Sequence, residues 1–142
     1  AVGIEQLKKL NYIISNNQAN KRYIKSIIKR NENFEYRKIN DIDELSDTLI
    51  LILKNKNITK NFVKFLKKYS ITTKNVPDAI NWHFAGTWGH IFKHVPRYKK
   101  SYNQKWKKTR DLLEKSVSIP IFVKSKKNNL KILANKINQF FL

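Results

Sequence analysis

Apolar residues recur at helical spacing from Ile4 to Ile28, through Leu7, Leu10, Ile13, Ile14, Ile24 and Ile27. Lys8, Lys9, Lys21, Arg22, Lys25 and Lys29 fill the other positions. The period predicts one long helix of about six or seven turns, ending in the Asn-rich sequence between Lys29 and Asn33. Phe34 to Ile39 alternates weakly and suits a short strand. Thr48 to Leu53 is a short, continuously apolar run between polar stretches, the pattern of a strand buried on both faces. Asn57 or Thr59 is placed to cap a helix carrying Phe62, Val63, Phe65, Leu66 and Tyr69, which Ser70 to Lys74 and then Pro77 terminate. Ala79 to Phe84 reads as another strand, and Thr109 to Lys115 as a short helix. Val117 to Val123 reads as a strand in which Pro120 argues for an edge or irregular one. A last helix carries Leu130, Ile132, Leu133, Ile137, Phe140 and Phe141. Ile91 to Tyr102 has no clear period, and Pro96 rules out a long helix there. The order predicts an α+β fold: a small sheet with helices packed mostly on one face, and a long N-terminal helix.

Composition narrows the reading. At 142 residues the chain falls in the single-domain range, and 41% hydrophobic residues suffice for one core. The absence of cysteine excludes disulfides, thiolate metal sites and a cysteine nucleophile. No apolar run reaches the ~20 residues of a membrane span, and there is no signal-peptide pattern, so the expectation is a cytoplasmic protein. The net charge of +20 admits a nucleic-acid partner. Against that, lysine far outnumbers arginine, Asn and Ile are abundant too, and the basic residues run from Lys8 to Lys136 without gathering in one stripe. That distribution is the mark of an AT-rich coding sequence. The acidic group Asp41, Asp43, Glu44 and Asp47 reads as a solvated turn before the apolar run.

Candidate chemistry concentrates between Asn81 and Arg97. All three histidines lie there, with Trp82 and Trp88 and with Gly86 and Gly89. Histidine titrates near neutral pH and can donate, accept or ligate. Tryptophan offers a flat apolar wall with one donor, and glycine lets backbone approach a ligand. His90 and His94 have the i,i+4 spacing of a metal pair. They lack an intervening glutamate, and only His83 and Asp78 are available as further ligands, so no metal site is assigned. Core packing is the competing reading for Trp82, Trp88 and His83. No phosphate-binding glycine loop, no supported Ser-His-Asp order and no apolar carboxylate pair is present.

Two blocks resemble a known family. Ala1-Val2-Gly3-Ile4-Glu5-Gln6-Leu7-Lys8-Lys9-Leu10 is similar to the stretch that opens the long helix from the large into the small domain of DegT-type sugar aminotransferases. Asn81-Trp82-His83-Phe84-Ala85-Gly86-Thr87-Trp88-Gly89-His90 resembles the histidine-bearing substrate loop of some members. Leu112 to Ile121 resembles the family's helix-end-to-strand pattern, and the final helix fits its last element. The resemblance implies the C-terminal small domain, residues 1–142, of a fold-type I enzyme that uses pyridoxal 5'-phosphate. It implies amino transfer from glutamate or glutamine to a keto sugar, usually nucleotide-linked, in a homodimer. It also implies that the cofactor lysine belongs to a large domain preceding Ala1, so this chain is expected to be part of a longer one and to hold no catalytic residue. His83 is the first candidate for a substrate contact, followed by Trp82, Trp88 and His90. The family includes dehydratases with the same cofactor. The alternative is a stand-alone basic nucleic-acid-binding module; basic residues on the outer side of nearly every helix, rather than on one face, weigh against it.

Overall fold

The computed structural model describes residues 2–41, 44–75, 84–95 and 102–142. The expected long first helix is present but divided. Helix α1 (Val2–Leu7) and helix α2 (Leu10–Ile27) are separated by a tight turn in which Lys9 N–H donates to Gln6 O at 3.0 Å. Residues from Gly3 to Tyr12 are exposed, so no packing holds that turn in straight α-geometry. Helix α2 ends at Ile27 because α7 (Lys127–Phe141) supplies a polar clamp: Asn138 Nδ2 donates to Ile27 O at 3.0 Å, and Lys29 N–H donates to Asn138 Oδ1 at 2.8 Å.

The sheet contains β1 (Phe34–Tyr36), β2 (Thr48–Leu53), β3 (Lys74–Asn75) and β4 (Ser116–Pro120), antiparallel throughout, in the order β1-β2-β4-β3. Strand β2 pairs Leu49 with Ile119 and Leu51 with Val117. Those side chains share one face, which α2, α3 (Lys56–Lys68) and α7 cover. Leu49, Leu51, Val117, Phe62, Leu66, Ile24, Ala134 and Ile137 are all fully buried there. A ring cluster of Phe62, Phe65, Phe140 and Phe141, with centroids 4.9–5.3 Å apart, closes the core beneath α3 and α7. Each such pair contributes about 0.5–1.5 kcal/mol beyond its burial. The α+β class, with the core-forming helices α2, α3 and α7 on one face of the sheet, is therefore what the chain adopts.

Several details differ from the sequence expectation. Strand β2 is buried on one face only: Thr48, Ile50 and Ile52 are half-buried. Their cross-strand neighbours are Glu35, Ser116, Ser118 and Pro120, which provide little apolar cover. Strand β4 is interior, with β2 on one side and β3 on the other, and Pro120 is tolerated as its last residue, beyond the register of β3. Helix α3 is capped by Asn55 rather than Asn57 or Thr59; its Oδ1 accepts from Asn57 N at 3.0 Å and Ile58 N at 2.9 Å. Thr59 is instead buried, with its hydroxyl on Asn55 O. Strand β3 falls in the polar stretch read as a helix stop. The strand expected over 79–84 lies outside the described residues except for Phe84, which leads into a turn.

The acidic group before β2 is not simply a solvated turn. Glu44 lies against Lys21, whose side chain keeps 8% of its surface exposed; the ion pair spans 2.5 Å. Ser46, in the left-handed region at φ 57°, donates its hydroxyl to the same carboxylate at 2.8 Å. A lysine buried to this degree persists only with a partner, so Glu44 fixes the chain's approach to β2.

Candidate functional site

The described part of the aromatic loop is a 3₁₀ turn, Ala85–Thr87, followed by the single-turn helix α4 (Gly89–Phe92). Phe84 O is the hub of its first turn, accepting from Thr87 N at 3.0 Å and Thr87 Oγ1 at 2.7 Å. Gly86 is required by contact: a Cβ built on it would sit 2.2 Å from Phe84 Cε1.

What anchors this loop is a pair of residues from another element. Helix α5 (Tyr102–Lys105) leads through Trp106 into α6 (Lys107–Lys115). Trp106 meets the Phe84 ring edge-to-face at 6.2 Å. The Arg110 guanidinium lies over the same ring at 5.4 Å and donates from Nη2 to Gly86 O at 3.1 Å. Phe84 is thus held 5% exposed between a cation and an indole. Trp106 Nε1 is buried without an acceptor among the described residues.

Helix α6 has two faces. Trp106 and Arg110, four residues apart, face the loop, whereas Lys108, Asp111, Leu112 and Lys115 follow the i, i+3, i+4, i+7 pattern of the opposite side. That opposite side walls a cleft of about 570 Å³ against β1 and β2, with Phe34, Ile52 and Leu112 as its apolar floor. The rim alternates in charge: Lys54, Lys108 and Lys115 against Glu32, Glu35 and Asp111. Lys56 ties α6 to α3 by ion pairs with Asp111 at 3.0 Å and with Glu114. The hydrogen bonds that Lys56 donates to Glu114 and Asp111 raise its own pKa, and the bond to Asp111 lowers that of Asp111.

Of the residues singled out by sequence, Trp88 is half-buried at the junction between the 3₁₀ turn and α4, and His90 is exposed on α4. Trp82 and His83 lie outside the described residues. Helix α4 ends at Phe92, before His94, so the i,i+4 pair does not share one helix. Among the described residues no group of three His, Asp or Glu side chains converges to hold a metal. Trp106 and Arg110 were missed by sequence reading. Their only signal was an aromatic and a cation four residues apart in a stretch dense in lysine.

A pyridoxal phosphate site needs a lysine amine presented to an open pocket. Six of the described lysines can be set against that requirement, three of them engaged and three at the rim of the cleft. Lys21 is held by Glu44, Lys56 by Asp111 and Glu114, and Lys25 lies 4.6 Å over the Tyr36 ring. Lys54, Lys108 and Lys115 stand at a rim among three carboxylates.

The model of the DegT/DnrJ/EryC1/StrS aminotransferase family matches residues 1–138. Helicobacter pylori PseC, an aminotransferase involved in the biosynthesis of pseudoaminic acid, superposes with a TM-score of 0.70 at 18% identity, over 98% of this chain and 35% of that chain. An E. coli GDP-4-keto-6-deoxy-D-mannose-3-dehydratase with bound hydrated PLP gives 0.63 at 17% identity, over 96% and 33%. A GDP-4-keto-6-deoxymannose-3-dehydratase with a trapped PLP-glutamate geminal diamine gives 0.64 at 17%, over 96% and 34%. The likeness to these structures is one of fold, and the chain spans about a third of their length. No curated protein sequence matches the chain.

Proposed function

Because this chain belongs to the DegT/DnrJ/EryC1/StrS aminotransferase family, we propose that it forms the small domain of an enzyme transferring an amino group from glutamate or glutamine to a nucleotide-linked keto sugar. The observation that carries this reading is the family match, continuous over residues 1–138. The cofactor of that reaction, pyridoxal 5'-phosphate, carries the amino group between donor and acceptor. It is held by residues other than those described here, in a homodimer.

The chain's own contribution is recognition. Trp82 and Trp88 supply apolar walls for the sugar, and His83 and His90 supply hydrogen bonds to its hydroxyl or keto oxygens. Arg110 positions this loop by holding Gly86 O and covering Phe84. A dehydratase using the same cofactor is the second reading, favoured by the two dehydratases among the similar structures.

The test uses the full-length protein that carries this chain. Its absorbance is scanned for bound cofactor, and the product formed from a keto sugar nucleotide with glutamate is weighed by mass spectrometry. An amino sugar supports the transferase, a deoxygenated sugar the dehydratase, and absence of a cofactor band overturns both. The variant His83→Gln is expected to lower kcat/KM by about tenfold to a hundredfold with cofactor content unchanged, the loss of one or two polar contacts worth about 1.5–3 kcal/mol. An unchanged kcat/KM removes His83 from the substrate contacts.

A further inference from the structure

Helix α6 is lightly anchored. None of its residues is fully buried, and one of its sides borders the open cleft of about 570 Å³. Its C-terminal end runs straight into β4, with Ser116 Oγ donating to Leu112 O at 2.8 Å. Lys56, the first residue of α3, ties it to that helix through Asp111 at 3.0 Å and through Glu114. Lys56 and Glu114 each carry the wrong charge for their own helix. A cation at the first position of α3 opposes the positive end of that helix's dipole, and Glu114, in the last turn of α6, opposes the negative end. Pairing across the two helices offsets both penalties, and Glu114 Oε2 is buried in that contact.

Glu114 has a second cation on its own helix. Arg110 stands at i,i+4 from it, the spacing at which opposite charges on a helix attract. That pair is not formed. Arg110 instead donates from Nη2 to Gly86 O at 3.1 Å and lies over the Phe84 ring at 5.4 Å, while Glu114 is taken by Lys56. A carboxylate oxygen withdrawn from water requires a partner. Arg110 is therefore free for the loop only as long as another cation serves Glu114. Asp111 offers Arg110 no alternative, since adjacent residues on a helix do not face each other.

We propose that Lys56 is a positioning residue for the aromatic loop: by occupying Glu114 it keeps Arg110 on Gly86 O. Without Lys56 the Arg110 guanidinium turns back to Glu114, and both Gly86 O and the Phe84 ring lose their cation. Thr87 and Trp88 are then held by the hydrogen bonds of the turn itself and by the edge of Trp106 on Phe84. The consequence for the reaction rests on the reading of this loop as the sugar contact.

The experiment is amide hydrogen exchange and steady-state kinetics on the full-length protein that carries this chain. Lys56→Met is expected to speed exchange at Thr87 and Trp88 by about threefold to tenfold, the scale of a part-exposed ion-pair network. Exchange in α2 and β2 should stay at the parent's rates. Lys56→Arg keeps a cation on Glu114 and should restore the loop. The decisive variant is K56M/E114Q, in which Arg110 has no carboxylate to return to; it should restore the loop as well. Lys60→Met, at an exposed position on the same helix, should change nothing. Unchanged exchange in Lys56→Met, loop exchange in K56M/E114Q as fast as in Lys56→Met, or equal acceleration in α2 and β2 would each overturn the proposal. In Lys56→Met the KM for the keto sugar nucleotide should rise by the same factor, with kcat within about twofold of the parent's and cofactor content unchanged. Faster exchange with an unchanged KM supports the link from Lys56 to the loop and removes the loop from the substrate contacts. Unchanged exchange removes the link and leaves the loop's role in binding untouched.

Discussion

The ion pair of Lys21 with Glu44 shows how one residue type changes meaning with its surroundings. Lysine is this chain's most abundant cation, and nearly all the described lysines are solvated, but Lys21 is 6% exposed. Burial pushes the Glu44 pKa up. Hydrogen bonds from Lys21 and Ser46, with the charges of Lys21 and Arg37, outweigh that and hold it below the ordinary value of 4.5. A carboxylate lowered in this way stabilises the fold fully above its unfolded value and loses that contribution as pH falls through the folded value. The stabilisation should therefore be complete at neutral pH and fade below 4.5. Lys21→Met leaves Glu44 without its main partner. We expect a loss of about 3 kcal/mol at neutral pH, the low end for a broken buried pair, because Glu44 keeps 21% of its side chain in water. The gap from the parent protein should narrow on acidification, measured by urea denaturation at a series of pH values; a pH-independent gap would assign the loss to packing. Gly86 offers a second residue-scale test. Gly86→Ala drives a methyl into Phe84, which Trp106 and Arg110 prevent from swinging away. A local cost of about 1–2 kcal/mol should speed amide exchange at Thr87 and Trp88 by about 5- to 30-fold.

At the level of elements, what the sequence revealed depended on period and length. The unbroken apolar run of β2 showed a strand but concealed that only one of its faces is buried. The stripe of α7 and the helical period of α2 were legible because each repeats its own face over a whole element. Strand β3 was not, since two polar residues carry no period. The interior place of β4 was hidden for a different reason: strand order is a property of pairing, and Pro120 at the strand's end forfeits no ladder bond to β3. The loop anchor was equally hidden, because Trp106 and Arg110 gain their role only when α6 turns one face to Phe84. Long-range polar clamps escape reading altogether. Asn138 is separated from Ile27 by 111 positions, yet it receives Lys29 N and donates to Ile27 O, joining the ends of α2 and α7. Asn138→Ala removes both bonds, the one to the Ile27 carbonyl part-buried and the one from the Lys29 N–H exposed. We expect about 1–3 kcal/mol of lost stability in chemical denaturation, with the earliest exchange at the C-terminal turn of α2; protection there equal to the parent's would show that the clamp is dispensable.

Over the whole molecule, two surface properties oppose each other. The net charge of +20 makes copies of the chain repel. Ile4, Leu7 and Leu10, spaced by three across α1 and the start of α2, are 62%, 67% and 42% exposed, and Tyr12 is 57% exposed. An exposed apolar run of this kind favours association. Salt separates the two effects. Screening shortens the reach of charge to about 8 Å at physiological ionic strength and about 3 Å at 1 M, while apolar burial is undiminished. Self-association of the isolated 142-residue chain should therefore increase with salt, and L7Q/L10Q should abolish the increase in sedimentation velocity runs. Binding to a nucleic acid through the lysine surface would show the reverse dependence, weakening steeply as salt displaces the released counterions. A chain that stays monomeric in high salt, and loses affinity for single-stranded DNA over the same range, would assign the surface to its charge. A chain that associates in high salt would assign α1 to an apolar contact, and the lysines then serve only to keep that contact from forming indiscriminately.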